Sequence, residues 1–289
     1  MTAVVVPGSG SRRGRVWRRF RSQLAPMVAL VVLGLICLAA VAAPLLATHD
    51  PNAVTTEVIA PPSSEHWLGT DDVGHDLYSR LLFATRFSLV TSLLAVSIAL
   101  AVGMLVGLVS GYAGGVVDAV LMRVMDALMS FPGLLMALAV VGILGPGVRN
   151  AMIGIALAFT PTFARLVRGS VLEVREESYV EAARVAGCGP VRIVARHVVP
   201  NILPPVVIQT FLAFGYALLA EGALSFLGLS IQPPGASLGS LLQRGFSVIN
   251  LTSRLVLIPG IVITLISWTC NVIGDGLRDA LGRDVPGAT

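Results

Sequence analysis

The sequence predicts an all-α, polytopic membrane protein with six transmembrane helices. Hydrophobic residues make up 55% of the chain and charged residues only 12%, far outside the soluble norm. Its apolar runs reach or approach the ~20 residues that cross ~30 Å of hydrocarbon. Arginines gather in two groups, at 12–21 and 165–196. By the positive-inside rule both groups lie on one side, which requires an even number of crossings between them, and four apolar runs separate them.

All 20 basic residues are arginine. A chain without lysine cannot build a G-x-x-x-x-G-K-[ST] phosphate loop or a Schiff base, so any ATP that drives it is hydrolysed by another chain. The net charge of +4 is not a nucleic-acid signal, because the arginines flank apolar runs rather than interleave with aromatics. The chain has no H-E-x-x-H, no G-x-S-x-G and no paired carboxylates on one span, which argues against an enzyme. Cys37, Cys188 and Cys270 form no C-x-x-C pair and read as small packing residues.

Residues 1–23 form a tail with Arg12, Arg13, Arg15, Arg18, Arg19 and Arg21, which places the N-terminus in the cytoplasm. The run 24–48 follows. Small residues at 39–43 and the Arg18-Arg19 pair raise the alternative of a cleaved signal peptide, but about 24 uncharged residues favour a retained span. The polar segment 49–85, poor in arginine, belongs outside, with an amphipathic helix from about Val73. His49, His66 and His75 share it with Asp50, Asp71, Asp72 and Asp76, which raises a metal site. Their spacing fits no standard ligand pattern, and the adopted reading is a solvated acidic loop with no metal.

The second span, 86–110, leads into Gly103, Gly107 and Gly111 at four-residue spacing, a face on which another helix can pack closely. In the third span, 116–144, Arg123 and Asp126 are spaced to pair, and Pro132 introduces a kink. The fourth span covers 150–168. The fifth, 201–229, carries Gln209, Thr210 and Glu221, the candidates for a translocation path. A mid-span ionisable group costs about 2.5–3.5 kcal/mol on insertion scales, so Glu221 should face the bundle interior or a water-filled path; a structural partner near the outer face is its other reading. The loop 230–253 is apolar enough to dip back toward the membrane. The sixth span, 254–275, and the tail 278–289 bring both termini inside.

The longest polar interruption of the second half, 176–200, reads as helix, kink, helix. Ser178 and Glu181 have capping-box spacing, so a helix starts near Tyr179. Gly187 closes it, and Pro190 opens a second helix that stops before Pro200. Ala182, Ala183 and Ala186 leave a small-sided surface suited to docking. Glu181-Ala182-Ala183 with Gly187 four residues beyond, then His197 to Asn201 as HVVPN, resembles the EAA loop of ABC importer permeases. Four further stretches resemble the C-type permease subunit of dipeptide and oligopeptide importers: HWLGTDDVGHD at 66–76, its continuation through Arg86, GYAGGVVD at 111–118, and AEGALSFLGL at 220–229. His75 replaces an arginine usual in that family, Ala84 a glycine, and Leu238 a tryptophan.

The resemblance implies a type I importer permease core at 86–277. It also implies a coupling site formed by Ser178, Tyr179, Glu181, Ala182, Ala183, Gly187, His197 and Pro200. No cofactor is bound by this chain; ATP and Mg belong to one or two partner ATPase subunits. A homologous second permease completes a heterodimer, an extracytoplasmic solute-binding protein delivers cargo, and lipid surrounds the spans of the inner membrane. Peptides are the implied cargo, with nickel, glutathione or haem as alternatives. A rival of another class is an ion-coupled transporter with Glu221 as proton carrier.

Overall fold

The computed structural model describes residues 12–282; the expectations for residues 1–11 and 283–289 lie outside the described residues. A short helix α1 (Arg12–Arg21) precedes α2 (Leu24–Val41), which α3 (Ala43–Leu46) extends. After a long loop comes α4 (Leu77–Ala113), of 37 residues. The separate amphipathic helix and the span beginning at 86 are therefore one helix. Asp76 caps it, its side chain accepting from Ser79 N at 2.8 Å, and no glycine or proline interrupts the chain between cap and span.

Next are α5 (Gly115–Met129) and α6 (Gly133–Leu144). The kink expected at Pro132 is a full break, with the two helices bent by 89°. Pro132 offers no N–H and leaves α5 in extended backbone, at ψ 130°. Arg123 does not take Asp126; instead Asp126 ion-pairs with Arg165 of α7 (Val148–Val174).

The chain continues as α8 (Ser178–Val185), α9 (Pro190–Ile193), a π turn (Val194–Val198), α10 (Val199–Phe226), α11 (Leu238–Ser247) and α12 (Arg254–Gly282). The second coupling helix does not stop before Pro200. It runs through the π turn into α10, making one helical rod from 190 to 226. The widened turn lets the backbone pass a residue that cannot donate, so Pro200 fails to act as a terminator. The dip expected at 238–249 is the short helix α11, opened by Ser237 and Ser240, whose side chains cap each other's backbone N–H groups.

Among the described residues, five helices are long and apolar enough to cross a membrane, or six if the bent α5–α6 pair is one span. The centre of the bundle is α4 packed along α7. A Cβ on Gly103 would lie 2.5 Å from Phe163 Cβ, one on Gly107 2.6 Å from the Ala164 carbonyl, and one on Gly111 2.8 Å from Val171 Cβ. These glycines let the two backbones approach where exclusion of water no longer drives association. At one end of the pair Arg168 grips Asp118 of α5 with two bonds of 2.6 Å, and Arg175 donates to the Gly111 carbonyl at 3.0 Å. That end carries α8; the loop 49–76 lies at the other.

Candidate functional site

The candidate coupling segment is built by α8, α9 and the turn between them. Ser178 is the first helical residue, Glu177 takes the N-cap position, and no side chain caps it. The expected capping box between Ser178 and Glu181 does not form. Backbone alone starts the helix, with Val180 N and Glu181 N both donating to the Glu177 carbonyl at 2.9 and 3.2 Å. The far end is better defined: Gly187 N donates to Arg184 O at 3.0 Å and Cys188 N to Ala183 O at 3.1 Å. This is a Schellman turn. It requires the left-handed backbone that Gly187 supplies, at φ +81°. Pro190 then opens α9.

Three buried residues fasten the segment to the bundle. Val180, Ile193 and Val198 pack with Val167 and Val171 of α7 and with Ile202 and Val206 of α10 in one apolar cluster. Most of the remaining side chains face out. Ala182 and Ala186 are exposed, Ala183 is half-buried in the cluster, and Val185 and Val191 are 84% and 81% exposed. Ala182, Val185 and Ala186 stand at i, i+3 and i+4, which puts them on one side of α8 as a small exposed apolar face. Glu181 lines a polar cleft of about 450 Å³ with Tyr112, Arg175, Glu176 and Arg184. The Tyr179 and His197 rings lie 6.3 Å apart between centroids and are tilted by 44°. Tyr179 and Pro200 also border a groove of about 810 Å³ with Trp17, Phe20 and Leu277.

The three path candidates are not brought together. Thr210 turns its hydroxyl to the Val206 carbonyl of its own helix at 2.8 Å. Gln209 is half-buried. Glu221 is 2% exposed and accepts from Ser225 Oγ at 2.6 Å, with the hydroxyls of Ser88 and Ser230 also directed to its carboxyl group. A cavity of about 720 Å³ does open beside α10, in the angle of the α5–α6 break. Phe131, Met136, Phe159, Thr162, Tyr216 and Ala223 are among its lining residues, and none of the three path candidates is. The signal for it lay in Phe131-Pro132, which marks the break.

Two family models match the sequence: that of the binding-protein-dependent transport system inner membrane component over residues 103–286, and that of the N-terminal transmembrane domain of oligopeptide transport permease C over residues 11–62. The chain belongs to the binding-protein-dependent permease family. Among its relatives, the dipeptide transport system permease protein DppC of Alkalihalophilus pseudofirmus is 41% identical over 271 residues, covering 92% of this chain and 89% of that protein. The glutathione transport system permease protein GsiD of Shigella flexneri is 38% identical over 273 residues, covering 94% and 90%. The fold resembles that of a solved inward-facing MetNI methionine ABC transporter chain, with TM-score 0.58 and 17% identity over 71% of this chain and 97% of that one.

The permease is thus a non-catalytic membrane subunit that works with a separate ATPase and other transporter subunits, and the ion-coupled reading falls away. At its other end, the loop expected to be solvated is mostly exposed over 50–65 but packed over 66–76. Asp71 Oδ1 accepts from the backbone N–H groups of Val73, Gly74 and His75 at 2.9–3.0 Å, and His75 Nδ1 approaches Oδ2 to 2.9 Å. Burial would raise the Asp71 carboxyl; the N–H groups of His75 and Val73 and the His75 ring outweigh it and hold the group below its ordinary range. Arg80, 2% exposed, lies 3.7 Å from Asp71 and donates to the carbonyls of Pro51 and Pro234. Arg254 at the start of α12 donates to the carbonyls of Ala60 and Thr70.

Proposed function

We propose that this permease forms half of a peptide channel in a heteromeric ABC importer of the cytoplasmic membrane. A homologous second permease supplies the other half, and an extracytoplasmic solute-binding protein delivers cargo. Partner ATPase subunits carry the ATP and Mg, and no cofactor binds this chain. The 49–76 loop faces outward, and α8 and both termini face the cytoplasm. Dipeptides and oligopeptides are the cargo; the glutathione relative, which carries a tripeptide, falls in the same chemical class.

The coupling segment carries this reading. A short helix with a small, uncovered apolar face is bolted by Val180, Ile193 and Val198 to α7 and α10. An ATPase groove seated on Ala182, Ala186 and Val185 would move this face as nucleotide closes the ATPase pair, and the rigid rod 190–226 would transmit the motion to the wall of the cavity at Tyr216. Such a device works only if the segment binds differently in the two states. Glu181, in its cleft, orients α8, and Gly187 allows the return turn.

Cells lacking this chain should lose uptake of a labelled dipeptide and regain it with the wild-type gene, provided the ATPase subunits are present. Uptake that continues without the chain, or that the restored chain supports after the ATPase subunits are removed, overturns the reading.

A further inference from the structure

The packed loop gathers three side chains that lie far apart in sequence. His49 follows the end of α3, His66 sits in the middle of the loop, and Asp76 caps α4. Each offers one ligand atom, and the three atoms lie within 4.8 Å of one another. His66 and Asp76 are buried at 3% and 1% exposure, while His49 is half-exposed and its ring leans over that of His66 at 4.7 Å. The open side of the group is thus the His49 side.

We propose that His49, His66 and Asp76 form a site for a divalent transition ion of the zinc, nickel or copper class. Two imidazoles and one carboxylate suit borderline ions rather than calcium or magnesium, which want more oxygen ligands. Three protein ligands leave a fourth, tetrahedral position for water. His66 Nδ1 and Asp76 Oδ1 are 2.9 Å apart, close to the ~3.3 Å edge of a tetrahedron with ~2.0 Å legs. The ion would take the place on His66 Nδ1 of the proton shared with Asp76 Oδ1, and the neutral ring would carry its proton on Nε2 instead.

The surrounding bonds already orient the ligands. Asp76 Oδ2 accepts from Ser79 N at 2.8 Å and from the Thr48 hydroxyl at 3.5 Å, which leaves Oδ1 turned to His66. With the Thr48 hydroxyl donating to Asp76, its oxygen accepts from His49 Nδ1 at 3.0 Å, and the His49 Nε2 lone pair is free for the ion. His49 N is fixed by Ser79 Oγ at 3.1 Å. Such outer partners set tautomer and ring orientation at metal sites. A loaded ion would clip the start of the loop to the N-terminus of α4.

The intact transporter, purified without a polyhistidine tag and stripped with a chelator, is titrated with Zn²⁺ against a chromogenic chelator and with Co²⁺ by visible absorption. Wild type should take one more ion per permease than His49→Ala, whose affinity should fall by about tenfold or more, and should show tetrahedral cobalt bands that the variant lacks. His49→Phe keeps the ring contact with His66 but has no lone pair, so it should behave as His49→Ala does. His197→Ala, at the opposite end of the bundle, should bind as wild type does. If either His49 variant binds like wild type, or if cobalt shows no tetrahedral bands, the cluster is a hydrogen-bonded knot and the proposal is wrong.

Discussion

The permease has two long polar segments, and they are finished in opposite ways. In the 49–76 loop His66, Asp71 and Asp76 are buried and bonded to groups of the same chain, as is Arg80 of α4 beside them. In the coupling segment Ser178, Glu181, Ala182 and Ala186 are exposed, and only Val180, Ile193 and Val198 are buried. Polar groups that a chain satisfies by itself belong to its fold; an apolar face it leaves uncovered is an invitation to another chain. The same substitution should therefore damage folding at one end and coupling at the other.

The largest effect is expected at the knot. Asp71→Ala removes the acceptor of three backbone N–H groups and leaves Arg80 buried without its carboxylate, a loss on the order of 3 kcal/mol. The variant should be scarce in membranes, and its thermal midpoint after purification should drop sharply. Normal abundance would mean that the loop carries little of the fold.

Gly187→Asp comes next and inverts the pattern. A Cβ at Gly187 meets nothing within 4 Å, so the free chain loses only the preference of its left-handed backbone, about 1 kcal/mol. Uptake should nevertheless vanish while membrane insertion stays normal, because the added charge meets the ATPase. Gly187→Asn, which tolerates the same backbone, should retain more stability and still couple poorly. Full uptake by the Asp variant would refute the lever.

Ala182→Leu should be milder still: within about 0.5 kcal/mol of wild type in stability, yet weakening ATPase assembly by about tenfold, or ~1.4 kcal/mol. Co-purification of the ATPase at graded salt and detergent would measure it.

The contrast also explains what the sequence made legible. The six apolar runs, the small face of α4 at Gly103, Gly107 and Gly111, and the glycine turn at 187 are local patterns, and period and residue type suffice to read them. The burial of His66, Asp71 and Asp76 was not legible, because it is completed by Thr48, which bonds Asp76, and by Arg80, which lies beside Asp71 and is itself held by the carbonyls of Pro51 and Pro234, and a polar run alone does not say whether the chain will fold over it. Pro200 misled for a different reason. Proline predicts a helix end when the turn before it is α-helical, and here that turn is π. The 89° break at Pro132 looked the same in sequence as the tolerated Pro161 in the middle of α7.

The smallest effect tests the boundary between the two regions through one residue type. Ser178 has the spacing of a cap but makes no cap bond, whereas Ser237 accepts from Ser240 N at 3.1 Å and its own N–H is held by Ser240 Oγ at 2.8 Å. A serine that caps is worth about 1 kcal/mol over alanine, and one that does not is worth almost nothing. Ser237→Ala should therefore lower the thermal midpoint measurably, while Ser178→Ala should leave it unchanged. If Ser178→Ala costs as much as Ser237→Ala, then the start of α8 is closed by its own side chains after all, and the picture of a segment completed by its partner loses its simplest support.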